Sequence, residues 1–170
     1  KQRDTIHPTF GAEEYRPQKI NAGIVGFDFP ANNLCQGSND VRIRLSNFGT
    51  DTLRSIFIKG KVRDSTINFY WSGKLAQGDT IAVSLASQPI ARHDSLDVIL
   101  WTENPNNQMD EYATFDTLKG YFYPSMNDLY TLGGTAPDYT NFQVFVDDLK
   151  RRGVCGPVTL EVRPGNYLGQ

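Results

Sequence analysis

His93, Asp94 and Ser95 bring together the residue types of a hydrolase triad. As consecutive residues on an extended segment they point to alternating faces, so they cannot line up as base, orienter and nucleophile. His7, the other histidine, sits beside Pro8 in a polar N-terminal stretch with nothing to orient it. Gly133-Gly134-Thr135 precedes a helical pattern, as a phosphate-binding loop would, but lacks the Lys-Ser/Thr pair and the glycine spacing that cradle phosphate. Asp147 and Asp148, adjacent on that helix, project about 100° apart and read as solvated charges rather than as an acid–base pair. The catalytic set is therefore expected to be empty, and the chain is not expected to be an enzyme.

Other residues suggest binding rather than turnover. Asn104, Asn106, Asp110 and Glu111 lie in the run NPNNQMDE, the richest group of oxygen ligands in the sequence and a weak calcium candidate. The run lacks the Asp-x-Asp-x-Asp-Gly order, and an Asn/Pro connection between strands needs no ion, so the ordinary loop is the favoured reading. No transition metal and no other cofactor is expected. Cys35 and Cys155 lack the spacing of a zinc or thioredoxin-like motif. Either they form a disulfide that ties two modules together, or they are two separate buried thiols. A loop of about 120 residues closed by that bond would stabilise the chain by up to about 4–5 kcal/mol in the loop-entropy model. Trp71, Trp101, Tyr70 and Phe57 could stack on carbohydrate, although tryptophans on strands more often pack in a core or at its rim.

Composition narrows the classes further. The chain has 170 residues, 39% hydrophobic and 21% charged, which is ordinary globular usage. Its 17 basic and 19 acidic residues leave a formal net charge of −2 with no long block of one sign. Neither a nucleic-acid footprint nor a membrane-surface patch is indicated. No apolar run approaches the roughly 20 residues that span a bilayer. The opening residues KQRDTIHPTF lack an initiator Met and a signal-peptide core, so they read as the start of an internal or processed piece.

Residues 1–20 read as an extended arm or the tail of a preceding domain, with Pro17 in a polar linker. From 21 to 123, short β-rich runs alternate with turn residues at sandwich spacing. Ala22 to Phe29 is the first strand, and Val41, Ile43 and Leu45 mark the second. Ile56, Ile58 and Val62 mark a third, with Gly60 as a bulge candidate. Ile67, Phe69 and Trp71 mark a fourth before a turn at Ser72-Gly73. Ile81, Val83 and Leu85 follow in a fifth, Leu96, Val98 and Leu100 in a sixth, and a seventh lies within 112–123. The fold class is thus mainly β, a seven-stranded immunoglobulin-like sandwich with a small strand–helix–strand unit after it.

That unit occupies 124–170. Phe142, Phe145, Val146 and Leu149 form one apolar helical stripe, with Asp138 or Thr140 as N-cap and Gly153 as the C-terminal stop. Val158, Leu160 and Val162 then alternate as a strand. One helix and two short strands cannot bury a core alone, so a partner surface is required. A following solenoid rung is favoured over the sandwich or another chain.

Two resemblances add to this reading. AGIV at 22–25, LCQG before VRIRLSNFGTDTL at 41–53, WSGKLAQGDT at 71–80 and WTENPNNQMD at 101–110 resemble CARDB-like, immunoglobulin-type domains of secreted Bacteroidetes proteins. The segment EYATFDTL at 111–118 departs from the family's Asn-rich entry to the last strand. YTLGG, PDY and GVCGPVTLEVRPGNY resemble the N-terminal cap of a right-handed parallel β-helix of the pectin-lyase-like type. These resemblances imply a secreted or cell-surface protein, exported by type IX secretion, acting as a structural spacer or adhesin module. They imply as partners the neighbouring domains of the same polypeptide or another surface protein. The alternative they leave is an accessory domain of a β-helix polysaccharide lyase or glycoside hydrolase whose active site lies elsewhere. Five Asp-Thr/Ser-aliphatic tripeptides resemble the O-glycosylation acceptor of such proteins, implicating Thr5, Thr52, Thr80, Ser95 and Thr117. The same tripeptide is also a natural strand entry.

Overall fold

The computed structural model describes residues 18–30, 34–92, 94–112 and 116–167. Period-two patterning produces the first seven strands: β1 (Ala22–Phe29), β2 (Gly37–Asn47), β3 (Leu53–Val62), β4 (Ser65–Leu75), β5 (Thr80–Ile90), β6 (Leu96–Glu103) and β7 (Thr117–Phe122). They form a sheet of order β1-β2-β5 and a second of order β4-β3-β6-β7. All pairings within these sheets are antiparallel. Ile43, Leu45 and Val83 from one sheet meet Ile56, Ile58, Trp71, Val98 and Leu100 from the other in one buried cluster. The chain is mainly β, and the two sheets share this core as the layers of a sandwich.

Alternation fixes which face each residue takes. In β2, Val41, Ile43 and Leu45 are buried while Arg42 and Arg44 face outward. Arg42 lies 3.6 Å from Asp28 and 5.6 Å from the Phe29 ring centroid on the neighbouring strand.

Two local expectations need correction. Ser72-Gly73 is not a turn: β4 runs through it to Leu75. Gly73 is needed there because a Cβ would lie 2.7 Å from the Trp71 indole, which packs over the strand. Gly60 is not a bulge either, since the β3 register with β4 and β6 is continuous across it. A Cβ at Gly60 would collide with the Ile99 carbonyl, so glycine permits close approach of β6.

The C-terminal unit comprises β8 (Leu129–Leu132), the helix α1 (Phe142–Arg152) and β9 (Thr159–Val162), with β8 and β9 parallel. Asn141, rather than Asp138 or Thr140, caps α1: its side chain accepts from the Val144 amide at 2.8 Å. Gly153, at φ 66°, ends the helix and donates its amide to the Leu149 carbonyl. Phe145 and Leu149 pack with Val158 and Leu160 against Met126, Tyr130 and Tyr139. Phe145 and Leu149 of the apolar stripe are thus half-buried within their own unit. The three aromatic rings of Tyr130, Tyr139 and Phe145 fill the space between β8 and α1. Phe142, at the start of the stripe, is 38% exposed and meets Tyr167 edge-on.

Candidate functional site

The densest polar constellation lies where the C-terminal unit meets the sandwich. Arg92, just after β5, reaches the unit from the sandwich side. Its guanidinium stacks 4.0 Å from the Tyr130 ring centroid and donates to the Leu129 carbonyl at 2.7 Å. It also lies 3.2 Å from the Asp138 carboxylate and 3.9 Å from Asp128. Arg152 ends α1 and reaches the same ring, with its guanidinium carbon 6.0 Å from the Tyr130 centroid. Its Nε donates to the Pro124 carbonyl at 2.6 Å, one Nη to Asp148 at 3.1 Å, and the other Nη to the Arg92 carbonyl at 2.9 Å. Arg152 is 6% exposed, so these bonds replace its hydration.

Asp148 is the hub of this network. It accepts from the Tyr139 hydroxyl at 2.6 Å and from both Arg151 and Arg152. Burial alone would raise its pKa, but these donors outweigh it and hold the carboxyl below the usual range. Tyr139 is pushed the other way, first by burial and then by its bond to the Asp148 carboxylate. Asp148 is therefore not the solvated charge that helix position suggested, whereas Asp147 is exposed and accepts from Gln143 of its own helix at 2.8 Å.

Backbone pairing continues the seam. Leu34 pairs in parallel with Pro124, and Met126 with Val154, so segments around 34, 125 and 154 lie side by side. The Leu34 amide donates to the Tyr123 carbonyl, the Met126 amide to Gly153, and the Cys155 amide to Met126. Gln36 donates to the Asn127 side chain at 2.6 Å. This layering brings Cys35 and Cys155 together as free thiols in hydrogen-bonding contact. Both are exposed, which corrects the alternative of two separate buried thiols.

The calcium candidates are spent on the protein itself. The Asn106 carboxamide oxygen accepts from the Arg54 and Ser55 amides at 2.7 and 3.3 Å, and its amino group donates to the Thr52 carbonyl. Asp110 accepts from the Ala22 and Tyr112 amides at 3.0 and 2.7 Å, and Glu111 from the Lys19 amide at 3.0 Å. Asn104 contributes a left-handed backbone, φ 52°, ahead of a 3-10 turn. The loop thus works as a clasp on strand ends, with oxygens of Asn106, Asp110 and Glu111 bonded to backbone amides. No group of three or more His, Cys, Asp or Glu able to hold a metal occurs among the described residues.

Beside this clasp, Asp116 carries a raised pKa of about 6, from burial first and from the neighbouring Asp110 charge second, partly offset by a bond with Thr102. An acid whose folded pKa lies above its ordinary value weakens the fold once ionised. Stability from this group is therefore greatest below about pH 4 and declines as pH rises to about 6. Asp116→Asn should stabilise the chain at pH 7 by on the order of 1 kcal/mol after allowing for solvent screening, with no gain at pH 4. Urea unfolding of parent and variant across that range checks the difference.

The aromatic candidates divide by strand face. Trp71 belongs to the core, not to a binding face, because it points inward with Ile67 and Phe69 on β4. Phe57, Tyr70 and Trp101 lie on the outer face, where Phe57 and Tyr70 pair across strands with ring centroids 4.9 Å apart. Trp101 donates to Glu103 at 2.8 Å, and Lys59 lies 2.6 Å from the same carboxylate, holding it below its usual pKa range.

Thr80 and Thr117 are exposed first residues of β5 and β7, and Thr52 and Ser95 are half-buried just before β3 and β6. Thr5, His7 and His93 lie outside the described residues, as does most of the N-terminal arm. No helix among the described residues is long and apolar enough to cross a membrane.

No protein-family model matches this chain, and no curated protein matches it. Among solved structures, the CARDB domain of a Pyrococcus furiosus protein, crystallised in complex with di-metal ions, aligns with a TM-score of 0.47 and 8% identity. The alignment covers 73% of this chain and 99% of that one. So loose a likeness carries no argument about the residues of this site.

Proposed function

We propose that this chain is a non-catalytic structural module of a larger exported surface polypeptide, in which the sandwich serves as spacer and the strand–helix–strand unit as a fixed joint to a neighbour. The observation that carries the reading is the seam itself. Arg152 bonds at once to Pro124, to Asp148 of its own helix and to the Arg92 carbonyl, while Arg92 returns to Leu129 and Tyr130. A joint built from buried, directional bonds fixes an angle, which a spacer needs and a flexible tether lacks. Thr80 and Thr117, the exposed members of the Asp-Thr/Ser-aliphatic series among the described residues, are positions at which glycans would be carried.

A second reading is favoured by one feature, the outward row of Phe57, Tyr70 and Trp101 beside Lys59 and Glu103. Aromatic faces flanked by polar groups suit carbohydrate rings. Two assays on the intact chain separate the readings. Incubation with panels of polysaccharides and esters should give no turnover, and turnover abolished by a point substitution in this chain would overturn the structural reading. A glycan array should stay blank if the chain is only a spacer. Binding that is lost in Tyr70→Ala and Trp101→Ala would establish the carbohydrate face instead.

A further inference from the structure

Cys35 and Cys155 stand 120 positions apart in sequence, yet three layers of backbone bring them to one spot. Leu34 is bonded on both sides of Pro124, through its amide to Tyr123 and its carbonyl from Ser125. One layer further on, Met126 is bonded in the same way, to the Gly153 carbonyl and from the Cys155 amide. The residues that follow Leu34 and Val154 are the two cysteines, so the register of the pairing aligns their side chains across the seam. Their thiols touch, and both open onto a shallow surface pocket also lined by Ser125, Lys150 and Arg151.

We propose that Cys35 and Cys155 form a disulfide that latches the C-terminal unit to the sandwich in an oxidising environment. The oxidant is a disulfide of the glutathione class or a protein disulfide of an oxidoreductase. The Cys35 thiol loses its proton and attacks that disulfide, giving a mixed disulfide and releasing one thiol of the oxidant. Cys155 then gives up its proton and attacks the Cys35 sulfur, forming the Cys35–Cys155 bond and releasing the second thiol. Two thiols of the chain are oxidised and one disulfide is reduced to two thiols. Local desolvation of its sulfur and then the neighbouring Cys35 push the Cys155 thiol up to about 11, which favours Cys35 as the thiol that attacks first. Lys150 and Arg151 at the pocket mouth favour approach of an anionic reagent.

The inference is independent of the spacer reading, because bond formation is read by mass whether or not the seam is the working part of the molecule. The intact chain is incubated with oxidised glutathione and followed by intact-mass spectrometry, non-reducing peptide mapping and thermal unfolding. The expected product has lost two hydrogen atoms, contains the peptide pair bearing Cys35 and Cys155, and unfolds at a higher Tm that dithiothreitol restores to the reduced value. Cys155→Ser should stop at one added glutathione, Cys35→Ser should take up one only more slowly, and neither should form an internal disulfide or rise in Tm. Stable glutathione on both cysteines of the parent, disulfide-linked dimers, or two thiols that persist at oxidant excess would each overturn the proposal. An internal disulfide that leaves Tm unchanged would overturn its role as a latch.

Discussion

Arg152→Ala should be among the most damaging single substitutions outside the sandwich core, at about 3–5 kcal/mol. The mechanism is specific. Removing the guanidinium strands the Pro124 and Arg92 carbonyls and leaves Asp148, whose side chain is 13% exposed, without its buried partner. Arg152→Lys should recover only part of the loss, because one ammonium cannot direct donors to three acceptors held in the fork of a guanidinium. Urea unfolding of both variants checks the ranking. A loss below about 1 kcal/mol for Arg152→Ala would place the residue with ordinary surface ion pairs.

Tyr130 should show a wide split between two substitutions. It is fully buried, with its ring stacked on Arg92 and packed among Tyr139 and Phe145. Tyr130→Ala opens a cavity and removes the surface on which Arg92 rests, a cost of about 3–5 kcal/mol. Its hydroxyl has no hydrogen-bond partner among the described residues. Tyr130→Phe should therefore be neutral or slightly stabilising, since it deletes a buried polar group that forms no bond there. Comparing the two melting curves separates packing from polarity, and a Phe variant as damaged as the Ala variant would contradict this assignment.

The contrast between these residues and the sandwich core explains what could be read from the chain alone. Ile43, Leu45, Val98 and Leu100 announce their burial by alternating with polar neighbours, a signal contained within one strand. Phe69, on the same face of β4 as Ile67 and Trp71, is only half-buried but packs on the same cluster. Arg92 and Arg152 carry no such signal. They are 60 positions apart, and each looks locally like a loop charge or a favourable cation at a helix C-terminus. Asp148, read as a solvated charge, stands four residues before Arg152, a spacing at which helical side chains pair. What the spacing could not convey was that Tyr139 bonds to it and that Arg152 links it to the sandwich through the Arg92 carbonyl. The same limit applies to Cys35 and Cys155, whose meeting depends on two parallel bridges, and to Asn106 and Asp110. Those side chains look like ion ligands in a list of residues and act as clasps once the strand ends they bond are in place.

The Arg92–Tyr130–Arg152–Asp148 seam should make the sandwich and the strand–helix–strand unit behave as one body. Native-state amide exchange on the intact, reduced chain tests this most directly, because it reports an opening free energy for each element separately. Amides of Tyr130 and Leu132 in β8 and of Leu149 in α1 should open with the same free energy as those of Ile58 in β3 and Leu100 in β6, and Arg152→Ala should lower only the first group. Exchange of β8 and α1 through a separate, low-energy opening in the parent protein, unchanged by Arg152→Ala, would contradict it.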